Sequence, residues 1–431
     1  IYEATVIGSK VKVNDNPQSP SYPALPFLSR KIQPNQGGSP FNVPVTWYGR
    51  PLGSEFSSPF SPKDIEQFNL SQKINTNINE TTELEASLTI SSHSNDHYRP
   101  DIIDSRFLEA LNGTTLGQSN GNLVYWNIFD SSQNSQELID YVRGAEVSSK
   151  DASLNNLGLI FRSENDGYEI AYGFQYNNEK LKITYDDIST AEFDGDGKII
   201  KSADLFFLGG GINLSKNRNN YAAFFEIQPK PIENLDLKIA GRFEEFENDS
   251  SFDPKFSFKY AASENITLRA SKSSSFSMPS MAQMFSSDIN LGSVRDFNGD
   301  SPFVRQAQIG NPDLKPATSN NINIGFIFEN SLQRLSIDYW NIDYKNRIEA
   351  QSAQVILNTD PNGPSITRNS SGDLIGVTTT YFNEESTEVS GIDLNFNKLL
   401  LTSDKYGDVS LIINSTTLIE FLTPALGNED S

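Results

Sequence analysis

The segment GYEIAYGFQY, residues 167–176, sets Tyr168, Ile170, Tyr172, Phe174 and Tyr176 on one side of an extended chain and Glu169, Ala171, Gly173 and Gln175 on the other. Side chains on a strand point alternately to opposite faces, so a period of two marks a strand with one apolar and one polar surface. The period recurs along the chain. Leu235, Leu237, Ile239 and Phe243 alternate with Asp236, Lys238, Ala240, Arg242 and Glu244. Phe256, Phe258 and Tyr260 alternate with Ser257 and Lys259, and Leu335, Ile337 and Tyr339 with Ser336 and Asp338. Almost everywhere that a period exists it is two rather than 3.6, which makes the chain all-β.

Segment length narrows the fold further. Several runs exceed the five or six residues usual for a globular strand, whereas about nine to eleven are needed for a tilted strand to cross a bilayer. About thirteen strands are predicted, near 1–8, 62–78, 82–93, 156–163, 168–186, 220–229, 235–246, 254–262, 266–274, 318–329, 333–346, 386–398 and 406–420. Their connections come in two sizes. INETTE, RSENDG, KPIEN, AASEN, ENSLQ and SDKYGD are short; approximately 9–60, 97–155, 187–219, 275–317 and 347–385 are long and rich in Asn, Ser, Asp, Gly and Pro. One structureless loop of such length would count against a compact domain. Long loops alternating with tight turns instead fit an antiparallel transmembrane β-barrel, with short periplasmic turns and long external loops. A soluble β-solenoid or sandwich is also period-two. Its core would favour Val, Ile and Leu, while faces this rich in Tyr and Phe suit a lipid–water interface.

Composition excludes several function classes. The formal charge of −21 argues against a nucleic-acid surface, which needs excess Lys and Arg. The absence of Cys removes disulfides, thiolate zinc sites and Cys nucleophiles. No run of about 18 apolar residues offers a transmembrane helix. No GxSxG and no phosphate-cradling glycine loop occurs, and the chain is read as a non-enzyme without a cofactor. It opens at Ile1 without a signal peptide and closes on GNEDS after an apolar run, which reads as a fragment of something longer.

Three stretches have spacings that could suggest a metal site. His93 and His97 flank Asp96 in SSHSNDHYRPD; at a strand end and loop start they lack the shared helical face that would let them chelate. FDGDGK places Asp194 and Asp196, and DFNGDS places Asp296, Asn298 and Asp300, at the alternate positions that begin a calcium loop. The distal bidentate Glu is not evident, and turn formation explains these residues. No metal is expected.

Four segments carry a family resemblance. GNPDLKPATSNNINIGF (310–326) resembles the NPxLKPExSxxxExG segment of TonB-dependent outer-membrane receptors. LRASKSSSFSMPSMAQMF (268–285) is similar to their RAS…FRAPS…LF stretch, one strand earlier as in that family. LSIDYWNIDYKNRIEA (335–350) and ESTEVSGIDLNFNKLL (385–400) resemble the two strands that follow, and YAAFFEIQPKPIENLDLKIAGRFEEF and YWNIFDSSQNSQELIDYVRG also fit. The chain departs from the pattern at Ala317, where the family has Glu, and at Ser277 and Met278, where it has Arg-Ala.

The resemblance implies a barrel of about 22 strands with a plugged lumen. Residues 1–431 would be one incomplete barrel domain, supplying the middle and later strands, with the plug domain, the energy-coupling box and other strands absent. Unpaired edges are too costly in lipid for such a wall to form a functional pore alone. The resemblance further implies TonB-dependent uptake of a scarce ligand such as a ferric siderophore in the outer membrane of a Gram-negative bacterium. The implied partners are a TonB-type complex acting through the plug, outer-membrane lipid and the small-molecule ligand, with no nucleic acid. Alternatives are an oligosaccharide or cobalamin receptor of the same family, a passive porin-like or structural barrel, and a soluble adhesin. The loop aromatics Tyr125, Trp126, Phe129, Phe285, Phe297 and Phe303 become candidates for ligand contact. Arg242, Glu244, Lys259 and Arg269 are expected to line the lumen and hold a plug. Pro312 and Pro316 fix φ and aim the chain as a long loop re-enters the wall, with Ile322, Ile324 and Phe326 then facing lipid.

Overall fold

The structure, a computed structural model, describes residues 1–15, 28–53, 56, 59–119, 121–195, 197–246, 249–405 and 407–424. Thirteen long strands form one antiparallel wall in chain order: β1 (Tyr2–Asp15), β2 (Ser61–Asn77), β3 (Thr82–Ile102), β4 (Arg143–Asn165), β5 (Tyr168–Tyr185), β6 (Leu214–Pro229), β7 (Leu235–Phe246), β8 (Asp249–Ser263), β9 (Ile266–Ser277), β10 (Ala317–Glu329), β11 (Gln333–Ala350), β12 (Leu374–Ser403) and β13 (Gly407–Leu422). The segments Ser287–Ser293, Phe303–Ile309 and Ile366–Arg368 add three short strands to this 16-stranded sheet. The wall is not closed: β1 pairs with β2 and β13 with β12, and each leaves its other edge open among the described residues.

Register carries the period-two pattern across the strands. Leu159 of β4 lies opposite Phe174 of β5, which faces Ala223 of β6, then Phe243 of β7 and Phe252 of β8. Leu268, Phe326, Ile337 and Leu394 form a matching row over β9 to β12. Phe161 and Tyr172 stack at 5.1 Å in the same band. Among the described residues no layer packs on these rings and branched chains; Ile324, on the same face, is 56% exposed. A continuous apolar surface on a wall of this size is a surface for lipid. Replacing Ile324 with Lys should therefore cost about 2–4 kcal/mol at mid-bilayer. The same change at its neighbour Asn323, on the polar face, should stay within about 0.5 kcal/mol. Urea unfolding of the protein in lipid vesicles measures both, and equal costs would reverse the assignment of faces.

At the tight-turn end the predicted strand limits agree with the structure to within a few residues. At the long-loop end the strands run further. β3 continues to Ile102 and β4 begins at Arg143, because Ser91–Arg99 pairs residue by residue with Glu146–Leu154. Both faces of Ser91–His97 are polar, so no alternation betrays the strand there. His93 and His97 consequently sit inside β3 rather than at a strand end and loop start.

The long connections are not structureless either. They carry the helices α1 (Asp104–Asn112), α2 (Gln136–Val142), α3 (Met281–Phe285) and α4 (Ala353–Thr359). They also pack into a cap with cores of its own. Leu28 and Ile32 from the first connection join Phe107, Leu111, Trp126, Leu138 and Val142 from the second and Leu205 and Phe206 from the third. Val294, Val304, Leu357, Ile366, Leu374 and Val377 make a second core over β12. The strand pair Ser287–Ser293 and Phe303–Ile309 continues this side of the cap, its Arg305–Ile309 edge running parallel to Gly376–Thr380. One connection at this end has no such layer, because β7 ends at Phe246 and β8 begins at Asp249.

Candidate lumen face and outer cap

The polar face of the wall is a set of cross-strand rows. In one row Asp236 of β7 faces Lys259 of β8, Arg269 of β9, Gly325 of β10, Asp338 of β11, Asp393 of β12 and Thr416 of β13. Arg269 reaches over Gly325 and donates Nε to Asp338 Oδ1 at 2.8 Å and Nη2 to Oδ2 at 2.6 Å. Ser336 adds an O–H to the same carboxylate at 2.8 Å. Lys259 makes only a loose pair with Asp236, 3.7 Å between exposed side chains. Nearer the cap, Arg242 donates to Glu244 at 2.7 Å and to Gln175 at 3.0 Å, and Asn220 donates to Glu244 at 2.6 Å. Arg242, Glu244, Lys259 and Arg269 thus share one face. The two arginines are already engaged by wall acceptors, and Lys259 is the more loosely held cation of the set.

Part of the fourth long connection turns inward onto this face. Arg218 of β6 donates to the Pro279 carbonyl at 2.7 Å and to Glu179 at 2.6 Å. Ser280 caps α3 in a capping box with Gln283. Phe285, like Leu181, then packs against the cluster of Ile183, Tyr185 and Leu214, with Lys216 Nζ 4.3 Å from its ring centroid. Phe285 is therefore a lumen-wall contact.

The other five aromatic candidates divide between the two halves of the cap. Tyr125 is exposed beside Gly113, and Phe129 meets Phe41 edge-on at 5.9 Å. Trp126 is fully buried, edge-on to Phe107 at 5.9 Å, so its ring is unreachable while the cap is folded. On the far half, Phe297 is 72% exposed beneath Arg368, whose Cζ lies 4.9 Å from the ring centroid, and Phe303 is also exposed.

The sequence missed the carboxylate that joins cap to wall. Asp101, at the top of β3 above the membrane-spanning part, accepts the N–H groups of Ile102 at 2.7 Å, Phe207 at 3.0 Å and Leu208 at 2.7 Å. Burial pushes its carboxyl up to about 7, against the opposing pull of these N–H donors and of Arg305. Arg305 donates to Ser202 Oγ at 2.8 Å and the Leu205 carbonyl at 3.2 Å, and Arg30 pairs with Asp104 while lying over the Phe206 ring. No local motif marks Asp101, since its main partners are more than a hundred residues away, with separations of 106 and 107.

The candidate metal residues are otherwise engaged. His93 and His97 are four residues apart on a strand, about 13 Å of extended chain, and they contact Gln67 and Ser61 respectively. Both Asp296 oxygens accept from Arg368 at 2.8 Å, and that guanidinium holds the Asp296 carboxyl below its ordinary range. Asn298 and Asp300 bond each other within the same turn. Asp194 accepts the Lys198 N–H at 2.8 Å in a tight turn, and Asp196 lies outside the described residues. Among the described residues no group of three or more His, Asp or Glu could hold a metal ion.

Pro312 and Pro316 do sit where the fourth connection re-enters the wall, with β10 starting at Ala317. Side chains of neighbouring segments complete the aim: Asn311 donates to the Tyr381 carbonyl at 2.9 Å, and Asn383 accepts the Lys315 N–H at 2.8 Å.

A family model described as "TonB dependent receptor-like, beta-barrel" matches residues 14–429. Among solved structures, the chain is similar to a mutant ferric enterobactin receptor (PfeA) of Pseudomonas aeruginosa, with TM-score 0.53 and 15% identity over 85% of this chain and 44% of that one. It is similar to the siderophore receptor PirA of Acinetobacter baumannii, with TM-score 0.51 and 16% identity over 85% and 45%. The outer membrane transporter YddB of Escherichia coli matches with TM-score 0.50 and 10% identity over 83% and 42%. The chain spans less than half the length of each of these three. No curated protein matches it.

Proposed function

Because the chain belongs to the TonB-dependent receptor β-barrel family, we propose that it forms part of the wall and external cap of an outer-membrane receptor that imports a scarce small ligand. One observation carries the proposal: a wall with a lipid face and a charged inner face, topped by packed loops on one side only. In this reading the two open edges of the wall, on β1 and β13, pair with further strands of the same protein. Such pairing relieves the cost of unpaired backbone in lipid. A plug within the inner face would couple to a TonB-type complex. Lys259, an exposed and loosely paired cation of the inner face, is well placed to meet it. Capture of the ligand falls to the cap, where Tyr125, Phe129, Phe297 and Phe303 offer exposed rings. The role is transport without bond chemistry.

A ferric siderophore is the leading cargo, because two of the similar structures are named as receptors for ferric enterobactin or a siderophore. The full-length protein, produced in Gram-negative cells lacking their own siderophore receptors, should restore uptake of radiolabelled ferric enterobactin. Uptake should vanish when TonB is deleted. Uptake that persists without TonB would establish a passive barrel. Absence of uptake with the protein present at the surface would remove this cargo.

A further inference from the structure

The wall carries a seam. The ladder between β8 and β9 stops at Lys255 and Ser273, although β8 stays paired with β7 as far as Asp249 and β9 with β10 as far as Ser277. Pro254 accounts for the stop. The ladder to β7 runs through Pro254 unbroken, so its missing N–H falls on the β9 side, opposite Ser274, where the next rung would form. The outer tip of the β7–β8 hairpin is thus tied to β9 by no ladder, and this same connection carries no cap layer. We propose that the seam is a side port to the inner face, admitting small solutes while the cap stays packed, with the β7–β8 tip as its flap. The proposal rests on the inner face being the lumen and on no particular cargo.

Residues from both faces of the wall meet in the seam. Phe276 lies on the same side of β9 as Leu268, the lipid side. Phe246 lies on the same side of β7 as Arg242 and Glu244, the inner side. Yet the two rings pack edge to face, 5.2 Å between centroids at 65°. Ser274, again from the lipid side of β9, donates to Asp253 Oδ1 from the inner side of β8 at 2.9 Å. Across a closed ladder paired residues leave the sheet on the same side, so opposite faces do not touch. The depression beside these contacts, about 440 Å³, draws its lining from both faces: Phe276 and Ser274 with Arg242, Glu244 and Asp253. That volume lies within the range of small-ligand pockets, about 300–1,000 Å³.

Side chains alone hold the seam shut. The ring pair and the bond from Ser274 to Asp253 can part without breaking a rung of any ladder. The cap offers no comparable opening on its own halves, because the connections there pack into buried cores. A solute that enters at the seam reaches the row of Arg242 and Glu244 directly, beneath those cores.

The test reads access to a reporter and uses neither cargo nor TonB, so a failure of the uptake reading leaves it interpretable. Met278, which lines the depression, is replaced by Cys in the full-length receptor displayed on cells. Residues 1–431 hold no other Cys, and any Cys outside them is changed to Ser. A membrane-impermeant maleimide added outside should label Met278→Cys, whereas its polyethylene-glycol conjugate should not. Pro254→Val restores the donor and should slow labelling roughly five- to tenfold, the effect of about one regained hydrogen bond on an opening equilibrium. Ser274→Trp sets a ring in the seam and should slow labelling comparably. A Tyr125→Cys reporter in the cap, labelled at the same rate in every background, shows that the receptor is folded at the surface. If Pro254→Val fails that control, Ser274→Trp carries the test. No labelling of Met278→Cys in the otherwise native receptor overturns the port. So does labelling that neither variant slows, which brings the reagent in through the cap. Equal labelling by the conjugate also overturns it, by leaving Met278 in the open.

Discussion

Replacing Asp101 with Ala should loosen the outer cap from the wall while leaving the wall itself intact. Three N–H groups, those of Ile102, Phe207 and Leu208, lose their acceptor at once in a site with no exposure to speak of. Each orphaned buried donor costs about 1–3 kcal/mol, so the sum is on the order of 3–5 kcal/mol once the site relaxes. The wall is held by its own ladder of strand pairings and does not depend on this carboxylate. Asp101→Asn keeps one acceptor oxygen and should cost about half as much. Hydrogen exchange at the amides of 204–210 should speed up by two or more orders of magnitude in the Ala variant. The emission of Trp126, buried in the adjoining core, should shift to the red. Unchanged protection at Phe207 and Leu208 would show that the carboxylate does not hold the cap.

The same residue gives the cap a pH dependence of unusual sign. Asp101 is raised from an ordinary value of 3.8 to about 7. An acid whose folded pKa is raised binds more protons folded than unfolded throughout that window, so its contribution falls as pH rises. It is fully present below about pH 4 and lost as pH passes 7. An ion-paired carboxylate such as Asp296, held low by Arg368, behaves in reverse: its contribution is present above the ordinary carboxylate range and lost in acid. Protection of Phe207 should thus decline from pH 4 to pH 8 in the native protein and flatten in Asp101→Asn.

Legibility in the sequence followed the solvent on each side of the strand. Where one face meets lipid and the other water, as in Tyr168–Tyr176, alternation is obligatory and the strands could be read directly. Where β3 and β4 rise beyond the bilayer, Ser91–Arg99 has water-compatible residues on both faces, and the period vanishes although the pairing continues. The re-entry at Pro312 and Pro316 was legible because proline constrains its own backbone. Its anchoring by Asn383 was not, since that contact spans 68 residues. Distance along the chain also explains the sites. Trp126 looks like an exposed loop aromatic until Phe206, eighty positions on, completes a core around Phe107. Asp296 looks like the start of a calcium loop until Arg368, 72 residues later, takes both of its oxygens. Short-range chemistry predicted turns and strands, while the partners that decide a side chain's role came from other strands.

Gly325 is the sharpest case, and substituting Val there should destabilise the barrel where strand propensity alone predicts the opposite. Val favours strands over Gly by up to about 1 kcal/mol. Yet Gly325 lies in the row between Arg269 and Asp338, which sit on strands two places apart, roughly 10 Å in the hydrogen-bonding direction. The guanidinium crosses that interval by passing over the position where a Cβ would stand. A Cβ on Gly325 would lie 2.1 Å from Asp338 Oδ1 and 2.7 Å from Arg269 Nε, inside any permitted contact. The bidentate pair must then open, and the Asp338 side chain, 7% exposed, is left with the hydroxyl of Ser336, two residues back on β11, as its remaining partner among the described residues. Uncoupling a buried carboxylate from its arginine costs about 3–5 kcal/mol in a fully buried pair. Arg269 is 42% exposed, which reduces this to about 2–4 kcal/mol, still larger than the propensity gain. A double-mutant cycle isolates the cause. If the lost bridge is responsible, Gly325→Val should cost much less in an Arg269→Leu, Asp338→Leu background, where no bridge remains to break. Urea unfolding in lipid vesicles supplies each leg. A Gly325→Val variant as stable as the native protein, or a cost undiminished in the bridge-free background, would show that the glycine is kept for some other reason than the salt bridge passing above it.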